Sequence, residues 1–158
     1  MIYLGSDHGG FELKEKIKKF LLKKGYKVLD LGNHSYEEKD DYTDFAFKVA
    51  EKISELDNPK LEWQERVKGI LFCRSSAGMT IAANKFKNVR AVSVFDVKSA
   101  KHSRLHNDSN IIAISGDWLD EKKAKNIVLK WLNTEFSNEE RHLRRLNKIK
   151  DIEKKNFK

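Results

Sequence analysis

The chain has 158 residues and a formal charge of +8, a length that suits one domain with a continuous sheet covered on both faces. It has no apolar run of bilayer-spanning length and no basic-then-apolar leader, and one cysteine excludes an internal disulfide framework. A cytoplasmic location is the expectation. The positive charge is spread over amphipathic helices and the tail KIKDIEKKNFK, without zinc-finger, RNA-recognition or basic-zipper signatures. A solvated basic surface is therefore preferred to a nucleic-acid face.

Residues 1–5 read as a short apolar strand running into Ser6-Asp7-His8-Gly9-Gly10. A helix near 10–24 follows, with Phe11, Leu13, Ile17, Phe20 and Leu21 at helical spacing and Gly25 as its C-terminal cap. Lys14, Lys16, Lys18 and Lys19 are expected mostly to face water. A strand near 26–31 and a helix near 42–56 come next. The only proline makes Asp57-Asn58-Pro59-Lys60 a loop, and Trp63 just beyond it either anchors that loop or faces a partner. Gly69-Ile70-Leu71-Phe72 reads as a strand buried on both faces, part of 68–73. Helices near 78–87, 97–106 and 120–133 and strands near 90–95 and 110–115 follow, with an additional helix near 137–153.

Five strand–helix alternations predict a single domain, residues 1–158, built as a three-layer α/β/α sandwich. It holds a five-stranded parallel Rossmann-like sheet and an extra C-terminal helix that packs on a partner subunit. In such sheets the strand-to-helix turns gather at the carboxyl edge, where ligands bind.

Cys73 stands where the apolar run 69–72 meets a helix, a place where free N–H groups and the helix dipole favour a thiolate. Ser75 and Ser76 add hydroxyls, and Gly78 allows a ligand to come close. The alternative is a structural cysteine packed at a strand end. His8 follows Asp7 at the first strand's end, and His106 precedes Asn107-Asp108 at the end of a helix. Both suit acid–base work near neutral pH, whereas His102 and His142 read as helix-surface residues. Arg141 and Arg145 lie four apart, able to grip one anion or to pair with Glu139 and Glu140. No metal site is expected from the spacing of Cys and His, and the glycine patterns of dinucleotide and nucleoside triphosphate sites are absent.

Taken in order, SDHGGFELKE, DYTDFA at 41–46, CRSSAGMTIAANK, HND at 106–108 and RHLRRLNKI at 141–149 resemble the ribose-5-phosphate isomerase B family. That wider group includes the galactose-6-phosphate isomerase subunits, and the resemblance covers nearly the whole chain. It implies an aldose–ketose isomerase without metal or organic cofactor, acting on a small phosphosugar as a homodimer or homotetramer, with no nucleic-acid or membrane partner. The reaction implied is interconversion of D-ribose 5-phosphate and D-ribulose 5-phosphate through a cis-enediolate. Another sugar, such as a hexose 6-phosphate or an unphosphorylated sugar, and a catalytically silent sugar-phosphate binding protein are the alternatives.

By resemblance, Cys73 removes the C2 proton, His106 assists ring opening, and Asp7 and His8 contact sugar and phosphate. Asn107 binds substrate, and Arg141 and Arg145 bind phosphate from the neighbouring subunit. The expected catalytic set is thus Cys73, His106, Ser75 and Asp7. The expected substrate contacts are His8, Tyr42, Arg74, Ser76, Ala77, Gly78, Asn107, Arg141 and Arg145. Two departures stand out. Arg74-Ser75-Ser76 replaces the family's Gly-Thr-Gly, and Asp117 stands where many relatives carry an arginine, so Arg74 is the candidate third cation.

Overall fold

In a computed structural model, which describes residues 1–157, strands and helices alternate as β1 (Ile2–Ser6), α1 (Phe11–Lys23), β2 (Val28–Asp30), α2 (Tyr42–Leu56), β3 (Lys68–Cys73), α3 (Ala77–Ala83), β4 (Ala91–Ser93), α4 (Val97–Asn107), β5 (Ile111–Ser115), α5 (Glu121–Leu132) and α6 (Glu140–Asn156). All strand pairs are parallel, in the order β2-β1-β3-β5-β4. Every residue of β1, β3 and β5 is buried, as apolar strands covered on both faces must be.

The sheet separates two cores. On one face Leu13, Ile17 and Leu21 of α1 meet Ala124, Ile127, Val128 and Trp131 of α5, with Ala100 of α4 beside them. On the other, Phe45, Ala46, Val49, Ala50 and Ile53 of α2 meet Met79, Ala82 and Ala83 of α3. The order reverses at β1, whose neighbours β2 and β3 lie on either side. The helices that follow β1 and β3 leave from opposite faces, which opens a crevice beyond their carboxyl ends.

Two helix boundaries differ from the sequence reading. α3 stops at Ala83, because the Asn84 side chain turns to exchange two 2.8 Å hydrogen bonds with the Ala91 backbone. α6 begins only at Glu140, because the Ser137 N–H is drawn back to the Leu105 carbonyl of α4 (3.1 Å). Among the described residues no helix is long and apolar enough to cross a membrane.

Trp63 is an anchor. It is 4% exposed, donates its indole N–H to the Leu132 carbonyl (2.9 Å) and meets Trp131 edge to face. It thereby covers the fully buried Arg104, whose guanidinium lies 3.5 Å from the indole centroid. Lys14 also corrects its expectation: it is fully buried and bonded to both Asp30 carboxylate oxygens at 2.9 Å.

Candidate active site

Three strand ends build the crevice floor. Cys73 pairs in register with Ser115, and Phe72 with Ser6. The turn after β5 is laced to the turn after β3: the Gly116 N–H donates to the Cys73 carbonyl (2.8 Å), and the Ser115 hydroxyl donates to the Arg74 carbonyl. The turn after β1 presses on the same loop, because a Cβ on Gly9 would collide with the Arg74 side chain and backbone. The three turns are therefore held as one block, which suits a site that must keep its geometry.

Cys73 is buried, 5% exposed, with the Ser76 N–H donating to its Sγ at 3.1 Å. That contact depends on Ser76, a fully buried residue at φ +66°. A left-handed conformation costs a non-glycine residue of order 1 kcal/mol or more. The thiol does not titrate as the sequence suggests. Burial raises its pKa, the Asp7 carboxylate adds to the rise, and the N–H groups of Ser76, Met79 and Ser75 oppose it without prevailing. Helix-end donors are present as expected, but desolvation and a neighbouring anion outweigh them.

Asp7 is itself buried, and burial raises its carboxyl pKa against the opposing hydrogen bond from the Gly10 N–H and the field of His8. It caps the turn to α1 through that Gly10 N–H (3.0 Å). His8 is fixed by Asp40, which accepts from the His8 N–H (3.1 Å) and pairs with Nδ1 at 2.7 Å. Asn33 Nδ2 holds the other Asp40 oxygen at 3.1 Å. Tyr42 opens α2 with its half-open ring laid on Gly78, where a Cβ would come within 2.8 Å of Cζ. Ser75 is half-buried and Ala77 exposed on the same turn.

Asp40, the carboxylate that fixes His8, is the crevice residue that sequence reasoning missed. Its signal was weak: a carboxylate two residues before a helix reads as a cap, and its partner lies 32 positions away.

Arg74 points into solvent. Its Nη1 is 3.9 Å from Asp117 Oδ2, with the two side chains 64% and 47% exposed. They line an open cleft of about 570 Å³ shared with His8, Lys16, Tyr36, Glu12, Asp120 and Glu121, where carboxylates outnumber cations.

His106, Asn107, Arg141 and Arg145 are not part of this crevice. α4 starts at the carboxyl edge and runs back along the sheet, so its 11 residues carry its end roughly 15 Å away. There His106 lies against His142 of α6, with Arg141 close enough to lower its proton affinity. Arg141 and Arg145 are exposed, Arg141 pairing with Glu139 at 2.8 Å. His142 corrects the surface expectation, being 1% exposed. His102 and His106 stand four apart in HxxxH spacing, their rings tilted against each other with centroids 4.2 Å apart. Among the described residues no group of three or more metal-ligating side chains is arranged to hold an ion.

The chain thus carries two clusters: Asp7, His8, Tyr42, Cys73 and Ser75 at the carboxyl edge, and His106, Asn107, Arg141 and Arg145 at the opposite edge. Comparison with known proteins gives this arrangement its context. The family model described as Ribose/Galactose Isomerase matches residues 2–149. Ribose-5-phosphate isomerase B of Escherichia coli is 37% identical over 98% of this chain and 97% of its own. The solved ribose-5-phosphate isomerase B of Clostridium thermocellum superposes with a TM-score of 0.87 at 42% identity, covering 98% of this chain and 97% of that one. That of Mycoplasma genitalium, solved with bound ribulose-5-phosphate, gives 0.89 at 35% identity with the same coverage. On this match and on the fold and site residues above, the chain belongs to the ribose/galactose isomerase family.

Proposed function

We propose that the chain interconverts D-ribose 5-phosphate and D-ribulose 5-phosphate through a cis-enediolate, in sites each completed by a second copy. The carrying observation is the separation of the two clusters. Cys73 and the acid–base histidine lie at opposite edges of one subunit, too far apart for a pentose phosphate to touch both. A two-fold pair of subunits would bring each cluster against its complement, and α6 leaves Leu143, Ile149 and Ile152 exposed for such a contact.

In this site His106 of one copy moves the proton between the ring oxygen and the anomeric hydroxyl, giving the open-chain aldose. Cys73 of the other copy, as thiolate, takes the C2 proton and returns it to C1. A proton passes between O1 and O2 in the same step. The Ser75 hydroxyl and the N–H groups of the β3–α3 turn are placed to hold the developing enediolate charge. Asp7, His8 and Tyr42 line the sugar's side of the crevice, and Arg141 and Arg145 supply guanidinium groups for the phosphate.

Solvent deuterium incorporation tests the reading. With ribose 5-phosphate the protein should exchange the C2 hydrogen and form ribulose 5-phosphate, and Cys73→Ala should do neither while still binding substrate. Exchange retained in that variant would move the base elsewhere. A panel of hexose 6-phosphates and free pentoses fixes the substrate: faster turnover of any of them than of ribose 5-phosphate would overturn the assignment.

A further inference from the structure

The His106 imidazole is in contact with two other imidazoles, tilted against both. His102, one turn earlier on α4, lies at 4.2 Å between ring centroids and 56° between planes. His142 of α6 lies at 4.3 Å and 30°. The two flanking rings differ in kind: His102 is exposed, whereas His142 is 1% exposed and bonded through Nδ1 to the Ser137 hydroxyl at 2.7 Å.

Ser137 is in turn tied to α4, its N–H donating to the Leu105 carbonyl at 3.1 Å. Its oxygen accepts the Glu139 N–H at 3.3 Å, so the hydroxyl bonded to His142 Nδ1 is itself held from both sides. His142 is therefore clamped and registered to the same helical turn that carries His106.

We propose that His142 is a positioning residue, whose clamped ring fixes the plane of the His106 imidazole against the end of α4. The proposal rests on the reading of His106 as the ring-opening acid–base group. A half-exposed histidine on a last helical turn would otherwise sample several rotamers, and acid–base transfer depends on holding the ring in line with the proton it moves.

The histidine cluster has an electrostatic consequence. The charged and titratable groups facing His106 are His102 on its own helix and Glu139, Arg141 and His142 from the α6 side. Burial together with His102, His142 and Arg141 lowers its pKa, and Glu139 alone opposes them. His106 thus stays neutral to lower pH than an isolated histidine does, and keeps both a donor and an acceptor nitrogen for ring opening.

The test uses the full-length protein and two variants, His142→Ala and Ser137→Ala. The second removes the clamp without opening a ring-sized cavity. The His106 imidazole is followed by NMR during a pH titration, its resonances assigned with His106→Asn, and turnover of cyclic ribose 5-phosphate is measured in parallel. In both variants the His106 titration should move up toward the ordinary value, more in His142→Ala. The turnover number should fall by roughly tenfold in His142→Ala, with a smaller change in KM. A His106 titration unchanged in both variants would overturn the positioning role, whatever the rates do. An altered titration with unchanged turnover would uphold the positioning role and sink the ring-opening reading instead.

Discussion

The Asp7 carboxylate at the end of β1 raises the proton affinity of the Cys73 thiol at the end of β3. Burial of the thiol is the larger cause, and the two act in the same direction. Only the thiolate can take a proton from carbon. With Cys73 as the proposed base, the rising limb of the pH–rate profile should be set by this thiol and should lie above the pH at which an ordinary thiol would place it. Asp7→Asn removes the anion, so the thiol should ionise more readily and the limb should move to lower pH. Thiolate absorbance titrated alongside the rate checks the assignment: a limb that stays in place, or moves up, would mean that another group controls it.

The core strands were legible because β1, β3 and β5 are continuous apolar runs with no solvent-facing side. The edge strands were read too long. Each pairs with a single neighbour, and the ladder covers only Val28–Asp30 and Ala91–Ser93. Cys73, Asp7 and His8 were singled out from their place at strand ends, and the pairing of β1 with β3 brings those ends together. The direction of the Cys73 shift was not legible, since burial of the thiol and the approach of Asp7 both arise only after β1 and β3 pair. The distance of His106 from Cys73 was implicit in the chain: a helix that begins at the carboxyl edge must end at the other one. The Asp40–His8 pair and the buried face of His142 come from long-range packing and left no local pattern.

The two-cluster arrangement makes a prediction that depends on which variants are mixed. Subunits carrying Cys73→Ala, recombined with subunits carrying His106→Asn, should regain activity, because a hybrid dimer holds one intact site. Random pairing yields roughly a quarter of the unmodified activity. Cys73→Ala mixed with the Arg141→Ala/Arg145→Ala double variant should behave alike. His106→Asn mixed with that double variant should regain nothing, since both defects fall in the same cluster. Activity recovered in the last mixture, with subunit exchange verified by mass spectrometry, would separate the histidine from the arginines.

Asp108 ties together the base of the sheet. It is buried and bonded to Arg66 Nη1 (2.9 Å), Arg90 Nη2 (2.7 Å) and Arg104 Nη1 (2.8 Å). Burial raises its pKa, but the three guanidinium groups outweigh it and hold the carboxyl below its usual value. A carboxylate with a depressed folded-state pKa contributes stability above its unfolded value of about 4, and that contribution is lost as the pH falls through the folded value. Asp108→Asn leaves buried guanidinium charge uncompensated and should cost about 3–5 kcal/mol at neutral pH. Urea titrations at neutral pH and below pH 4 test this: the gap between variant and unmodified protein should narrow in acid. An equal gap at both would mean that packing, not charge, is what the substitution removes.

Arg74 and Asp117 set how much anion attraction remains beside Cys73. They face each other at 3.9 Å in open solvent, where a pair of charges interacts by only about 0.2–1 kcal/mol. The guanidinium is thus partly neutralised before any phosphate arrives, and its own contribution should be modest. Arg74→Gly is expected to raise KM for ribose 5-phosphate by no more than about fivefold, the equivalent of that surface energy. Asp117→Asn should lower KM by a comparable factor, because it removes a repelling carboxylate and frees the arginine. Combining the two should leave the effect of Asp117→Asn smaller than it is alone, since part of its benefit runs through Arg74. KM for unphosphorylated ribose is the control, and it should scarcely respond to either change. Parallel shifts for both sugars would show that Arg74 shapes the turn over Gly9 instead of attracting phosphate, and a rise in KM on Asp117→Asn would give the carboxylate a binding role of its own.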